Sequence, residues 1–357
     1  MKYLIYLLNL IYFLFMVSCG QVSQSNILSI DLVNHNQLSE EEILLSEVSE
    51  SIQLIPLETN DSVLISRLYD IKLEANKLFF EASNGAFVFD LEGKFLNTIG
   101  EKGRGPKEYL GLDGVFPDNN VVWLMDRYGK KALKFTDSGR FFESFNFVKQ
   151  PFTEFYYTGN DIFIGFIPDN GQPNTDIMLA FFNATGMVDS ILYRKPIPNE
   201  NMWWSIGGEA SFIHHGAQLK FKHLFNDTIY VIKDYKLQPN MVVSLGSRKA
   251  NENARAVAVN SDPSTHDIFE GMDKVNLQGE NGRYIHLQVN SNQLFYDKKE
   301  NKVHKWKFVL PDDKRIDLEK SKKFIPMYID KNGYLIGQTA PANEEDNPVI
   351  VLAKLKQ

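Results

Sequence analysis

The stretch Phe87-Val88-Phe89-Asp90-Leu91-Glu92-Gly93-Lys94-Phe95 decides the fold, because its pattern returns twice at nearly constant spacing. An apolar strand runs into a polar turn that ends on glycine, and a second strand follows. The same arrangement spans Leu133 to Phe141 around Gly139 and Phe181 to Val188 around Gly186, so the glycines lie 139 − 93 = 46 and 186 − 139 = 47 residues apart. A period of that size, built from strands, marks a repeat architecture.

Working outward, strand-rich units occupy residues 67–99, 111–147, 152–194, 208–245 and 268–309. The stretch 322–355 supplies three strands only, 324–329, 334–338 and 349–354, while a spare strand, Ile52-Gln53-Leu54-Ile55-Pro56-Leu57, precedes the first unit. Pairing the spare strand with the incomplete unit closes a ring of six, which leaves no sheet with an unprotected end in the ring. Residues 52–355 divided by six give roughly 51 per repeat, near the size of propeller blades. The fold expected is all-β, a six-bladed β-propeller of four-stranded antiparallel blades whose last blade is closed by the N-terminal strand.

Composition agrees. Of 357 residues, 43% are hydrophobic and 13% aromatic, with 26 Phe and 15 Tyr, as suits sheets packed face to face. A chain of this length buries about three quarters of its unfolded surface and needs no metal or disulfide to hold a core. The net charge is −7 and no basic stripe with interleaved aromatics occurs, which argues against nucleic acid as a partner.

The single cysteine, Cys19, follows the apolar run Tyr3 to Val17, itself preceded by Lys2. The run is short of the ~20 residues that span a bilayer and has the size of a secretory signal core. Its end, Phe15-Met16-Val17-Ser18-Cys19-Gly20, resembles the bacterial lipoprotein signal, in which the Cys after a small residue is lipidated. The division expected is a signal peptide at 1–19, a tether at 20–49 and the propeller at 50–357. Within the tether, residues 27–32 suit a short edge strand, and Ser39-Glu40-Glu41-Glu42 has the spacing of a helix capping box. Without a second cysteine, disulfides within the chain and thiol catalysis downstream are excluded. The start Cys19-Gly20-Gln21-Val22-Ser23 carries no acidic cluster, so an outer-membrane lipid anchor on the periplasmic side is favoured over the cell surface.

The segment Ile99-Gly100-Glu101-Lys102-Gly103-Arg104-Gly105-Pro106-Lys107-Glu108-Tyr109 resembles the I-G-x-x-G-x-G-P-G-E-Y signature of bacterial six-bladed β-propeller lipoproteins, which are similar in repeat style to NHL-type propellers. Leu54-Ile55-Pro56-Leu57-Glu58-Thr59 and Phe225-Asn226-Asp227-Thr228-Ile229-Tyr230 look like further elements of that family. The resemblance implies the fold and an envelope location, and no catalytic activity.

Loops that cross from one blade to the next are the usual binding face of a propeller. In the first crossing, Lys102, Arg104 and Lys107 offer donors to an anionic or polyhydroxyl ligand, beside Glu108 and Tyr109; the glycines and Pro106 also suit a loop that merely shapes the crossing. Trp203 and Trp204, in the third crossing, provide flat faces for a sugar or peptide, or a plug for the channel. The ligand-binding candidates are therefore Lys102, Arg104, Glu108, Tyr109, Trp203 and Trp204. The crossing 246–267 is long enough to carry a turn or two of helix as a partial lid.

No metal or cofactor signature occurs. His214 and His215 are adjacent and would point to opposite faces of a strand, and no H-E-x-x-H spacing exists. Asp169, Asn170 and Asp176 match no EF-hand pattern. No catalytic residue is assigned: there is no G-x-S-x-G elbow, and Glu108, Glu200, Glu209, Asp312 and Asp313 are too many acids to choose among. The reading is a non-catalytic binding module for a glycan, peptide or envelope protein. Its alternatives are a carbohydrate-active enzyme using acids on the same face and a structural subunit of an envelope complex.

Overall fold

The structure, a computed structural model, describes residues 27–33, 38–61, 63–146, 152, 154–167, 177–194, 208–216, 218–250, 271–307, 310–311 and 324–357. The chain begins with strands β1 (Leu28–Asp31) and β2 (Leu38–Leu44), a single helical turn α1 (Leu45–Val48) and β3 (Ser49–Pro56). Blade 1 follows as β4 (Leu68–Glu74), β5 (Lys77–Ala82), β6 (Gly85–Asp90) and β7 (Phe95–Thr98), and the short strands β8 (Glu101–Lys102) and β9 (Glu108–Tyr109) lie in the first crossing. Blade 2 consists of β10 (Val115–Asp118), β11 (Val121–Asp126), β12 (Lys131–Thr136) and β13 (Phe141–Asn146). Blade 3 is β14 (Glu154–Gly159), β15 (Ile162–Phe166), β16 (Ile177–Asn183) and β17 (Val188–Arg194). Blade 4 is β18 (Ala210–His215), β19 (Gln218–His223), β20 (Thr228–Lys233) and β21 (Lys236–Ser244), and blade 5 is β22 (Val275–Glu280), β23 (Tyr284–Val289), β24 (Asn292–Asp297) and β25 (Lys302–Lys307). Blade 6 takes β26 (Ile325–Ile329), β27 (Tyr334–Thr339) and β28 (Val349–Leu355) from the C-terminus and β3 from the N-terminus.

The expected six-bladed propeller and its mode of closure are thus what the chain forms. The closing strand pairs antiparallel with β28 from Pro56↔Val349 to Ser49↔Leu355. Beyond it, buried Asn347 clasps the chain as it leaves β3: its amide donates to the carbonyls of Glu58 (2.7 Å) and Val63 (2.9 Å), and its Oδ1 accepts from the Ile65 amide (2.7 Å).

The core is not a single mass. Neighbouring blades share apolar clusters: Ile55, Phe80, Phe89 and Ile350 between blades 6 and 1, Phe79, Val88, Val122 and Leu124 between blades 1 and 2, and Trp123, Phe163 and Phe182 between blades 2 and 3. Successive residues of one strand enter different clusters, Phe79 on one side and Phe80 on the other, because side chains alternate across a sheet. That is why Leu78-Phe79-Phe80 and Val122-Trp123-Leu124-Met125 read as unbroken apolar runs: both faces of each blade are buried.

The recurrent turn glycines hold the blades in register. Gly93 and Gly139 have φ of 84° and 83°, a conformation costly for other residues, and a Cβ on either would collide with backbone of the preceding blade's outer strand, at Pro56 and Thr98 respectively. The 46-residue spacing of Gly93 and Gly139 is therefore that of one inter-blade contact made in blades 1 and 2.

The N-terminal segment does more than close blade 6. Strand β1 adds parallel to the outer edge of blade 4, Leu28↔Met241 to Asp31↔Ser244, and β2 adds parallel to the outer edge of blade 5. Ser39 to Glu42, expected as a capped helix start, lies within β2; the helical turn comes later, at Leu45–Val48. Strand addition wins because Ile30 is buried between blades 4 and 5 and Ile43 packs between blades 5 and 6, while an edge strand satisfies the backbone. Among the described residues no helix is long and apolar enough to cross a membrane.

Replacing Asn347 with alanine removes three hydrogen bonds at the closure, two of them buried, and is expected to cost about 2–4 kcal/mol. Urea denaturation of the soluble chain checks this, and a variant within ~0.5 kcal/mol of the parent would show that the clasp is dispensable.

Candidate functional site

The innermost strands of all six blades surround an axial cavity of about 710 Å³. Its lining reaches Glu74, Asp118, Gly159, Gly216 and Lys331, at the strand ends opposite the crossing loops. A blade's innermost strand has one neighbour in its own sheet, so side chains on its axial side meet open space, and polar residues stand there without breaking the core.

The two sides of the cavity differ. On the side of blades 2, 3 and 4, Tyr156 lies 6.0 Å from Phe116, 5.7 Å from Phe212 and 5.4 Å from His214, ring centre to ring centre, making a continuous aromatic wall. The opposite side carries charge that is already paired: Lys72 with Asp70 at 2.7 Å, and Lys331 of blade 6 with Glu74 of blade 1 at 2.6 Å. The Lys72 ammonium also lies 4.8 Å over the Tyr328 ring. Blade 5 contributes amides, with Gln278 donating to Gln288 at 2.7 Å.

Burial sets the protonation of Tyr156 and His214 in the lining, and of Glu81 and Glu154, which are not among the lining residues. It pushes the Tyr156 phenol up, with the Asp70 charge adding to the rise, so the hydroxyl stays protonated; among the described residues it has no hydrogen-bond partner. Burial, then the Lys331 and Lys72 charges, lower His214, which favours its neutral ring. Glu81 stands opposite Asp70 in the β4–β5 pair. Burial raises its carboxyl to about 8; Asp70 adds to the rise, Lys72 opposes it and Asp113 adds further. Glu154, at the start of blade 3, is raised to about 7, first by burial against the backbone donors of Ala210, Glu209 and Gly208, and also by the Glu209 charge.

At the blade 4/5 boundary, Glu280 meets His215 (2.6 Å), Lys220 (2.6 Å) and Lys298 (3.3 Å). Burial alone would raise this carboxyl, but the His215 hydrogen bond and the two ammonium groups bring it to about 2. The cluster is an electrostatic pin between blades. Among the described residues, no group of His, Cys, Asp and Glu is arranged to hold a metal ion.

In the first crossing the half-buried Glu108 is turned into the loop, whereas Glu101 is exposed. The Glu108 carboxylate accepts from the Gly105 amide at 2.8 Å and fills the space a Cβ at Gly103 would need. Tyr109 is buried against blade 1, and the Lys131 ammonium donates to the carbonyls of Gly105 (3.0 Å) and Glu108 (2.6 Å). Buried Asp126 accepts from the amides of Leu110, Gly111 and Gly129, tying the loop to blade 2. Lys102 and Arg104 are exposed on this loop, and neither lines the axial cavity. Trp203, Trp204 and Cys19 lie outside the described residues, as do Asp169, Asn170, Asp176, Glu200, Asp312, Asp313 and most of the proposed lid.

Sequence reasoning looked to loops and so missed Tyr156, Tyr328, Asp70 and Gln278, which lie on innermost strands. The available signal was Asp70 and Lys72 alternating within Leu68–Glu74, polar positions in a strand that precedes the mostly apolar Lys77–Ala82 and Gly85–Asp90 of the same blade.

A family model described as a domain of unknown function (DUF4934) matches residues 27–354, and the chain belongs to that family. Among solved structures, a "Putative exported protein" from Bacteroides fragilis superposes with a TM-score of 0.69 at 17% identity, covering 93% of this chain and 100% of that one. A member of the DUF4221 family from Bacteroides vulgatus gives 0.46 at 13% identity over 87% of this chain and 98% of that one. The first likeness is one of fold. No curated protein matches the chain.

The raised Glu81 carboxyl gives a pH test. Its folded value, about 8, lies above the ordinary 4.5, so the stability it allows is full below pH 4.5 and is lost as pH climbs toward 8. Glu81→Gln should therefore melt several degrees higher than the parent at pH 8 and at nearly the same temperature at pH 4. Equal melting temperatures at both pH values would mean that the carboxyl is not held protonated.

Proposed function

We propose that this DUF4934 propeller is a lipid-anchored envelope binding module that takes a neutral, polyhydroxylated ligand, a segment of glycan, in its axial cavity. The observation that carries this reading is the aromatic wall of Phe116, Tyr156 and Phe212 facing paired charges and amides across about 710 Å³. A sugar ring has an apolar C–H face suited to aromatic rings and a hydroxyl edge suited to amides and carboxylates. Charges paired within the wall offer little net attraction to an ion, and the volume lies within the range of small-molecule sites. The Tyr156 hydroxyl, which has no partner among the described residues and is held protonated, is a donor ready for a ligand oxygen. Lys102 and Arg104, on the crossing side, would act as accessory contacts for parts of a ligand that extend from the channel.

A second reading, a carbohydrate-active enzyme, is favoured by one observation: Asp70 of the cavity lining stands opposite Glu81 in the β4–β5 pair, and burial raises the Glu81 carboxyl. A protonated acid near a carboxylate is the pairing that glycoside cleavage uses. Release of reducing ends from a bound glycan, abolished by Glu81→Gln without loss of binding, would support it.

Envelope placement is supported by the lipoprotein-like start at Cys19 and by the description of the Bacteroides fragilis fold relative as exported. Incorporation of a clickable fatty acid by full-length protein, lost in Cys19→Ser, is the expected result; labelling that persists in Cys19→Ser would contradict anchoring at this residue.

For a neutral oligosaccharide that binds soluble residues 20–357, Tyr156→Phe should weaken the Kd roughly tenfold, about one hydrogen bond. Phe212→Ala should weaken it further by removing a stacking face. Calorimetric titration checks both, and a Kd unchanged by either substitution would exclude the cavity.

A further inference from the structure

The N-terminal segment covers only part of the propeller's circumference. Strands β1 and β2 run along the outer edges of blades 4 and 5, and β3 is the outer strand of blade 6. Among the described residues, nothing pairs with the outer sides of β7, β13 and β17, the last strands of blades 1, 2 and 3. An open strand edge presents unpaired amides and carbonyls that another extended chain can use.

The outer edges of blades 1 to 4 each carry a bulge. The outer strands of blades 1, 2 and 3 each leave a residue without a partner one pair past the hairpin turn, Leu96, Phe142 and Asp189, and the outer strand of blade 4 does so further along, at Asn240. In blade 4 the added strand β1 begins immediately after the bulge, with Leu28 beside Met241. Its alternation of Leu28, Ile30 and Leu32 with polar Ser29 and Asp31 sends Ile30 into the outer end of the core between blades 4 and 5. The corresponding core between blades 2 and 3 ends in Phe145 and Val188, both only half-buried. Where blade 4 has half-buried Asn240, blade 2 presents Phe142, 63% exposed, and blade 1 presents Leu96, 41% exposed.

We propose that the outer edge of blade 2 is a docking site for an extended segment of a partner polypeptide, which adds parallel to Glu143–Asn146 as β1 adds to Met241–Ser244. The segment alternates apolar and polar residues. Its apolar side chains cover Phe142 and enter the gap beside Phe145 and Val188; its backbone completes a fifth strand on the blade. The occupant is a polypeptide because the edge offers a row of backbone groups, and this chain already fills the outer edges of blades 4 and 5 with parallel strands. The site lies on the outer wall, apart from the axial cavity, so ligand and partner would be held together.

The test is selection of a displayed library of random ten-residue peptides on soluble residues 20–357, with Phe142→Asp as the counter-selected form. Phe142 is exposed enough for the substitution to leave the fold intact, which an unchanged melting profile would verify. The expected result is a set of peptides with alternating apolar residues that slow hydrogen exchange at Glu143–Asn146 and lose at least tenfold in affinity on Phe142→Asp. Peptides that bind equally to both forms, or that protect the innermost strands instead, would overturn the proposal. So would concentration-dependent protection of β13 without peptide, matched by dimer in sedimentation, since the occupant would then be a second copy of the chain.

Discussion

Burial of both faces of every blade is the constraint on which the rest of this structure depends. A sheet such as β4 to β7, with Phe79 and Val88 entering one cluster and Phe80 and Phe89 the other, cannot be stable with a neighbour on one side only. Each large buried side chain contributes about 1.5–3 kcal/mol when covered, and half of that gain would be lost at an open end of the ring. Closure is therefore a condition of stability for all six blades. The strand that provides it comes from the opposite end of the chain, paired along its length with Val349 to Leu355.

The same constraint locates the site. With both faces of each blade committed to inter-blade cores, the surfaces left are the axial channel, the loops and the outer edges. The channel alone is walled by all six blades, and its side chains are fixed by strands on either side. Polar groups there need not be solvated by the core: Lys72 and Asp70, Lys331 and Glu74, and Gln278 and Gln288 satisfy one another. What they leave is an aromatic wall and the hydroxyl of Tyr156, a lining that favours shape and hydrogen bonding over net charge.

The ring was legible in the sequence because a repeat unit carries its own punctuation. Gly93 and Gly139 had to recur where a turn meets the backbone of the blade before it, and the missing strand in 322–355 pointed to the spare one at 52–57. The site was less legible. Glycine and charge made the 100–110 loop conspicuous, yet Glu108 and Tyr109 shape the crossing from within. Tyr156 and Phe212 look like ordinary strand aromatics, since nothing local distinguishes a ring that faces an axis from one that faces a core. The course of 28–44 along two blade edges was likewise hidden, for a strand that pairs with residues more than two hundred positions away leaves only its alternation to be read.

The most direct measurement is the salt dependence of binding between soluble residues 20–357 and an array holding neutral and acidic glycans. A channel whose charges are paired internally predicts capture of neutral glycans with a Kd that barely changes between 50 and 500 mM salt. Capture restricted to sulfated or uronate-rich glycans and lost on raising the salt would contradict it, and would shift the site to exposed cations such as Lys102 and Arg104.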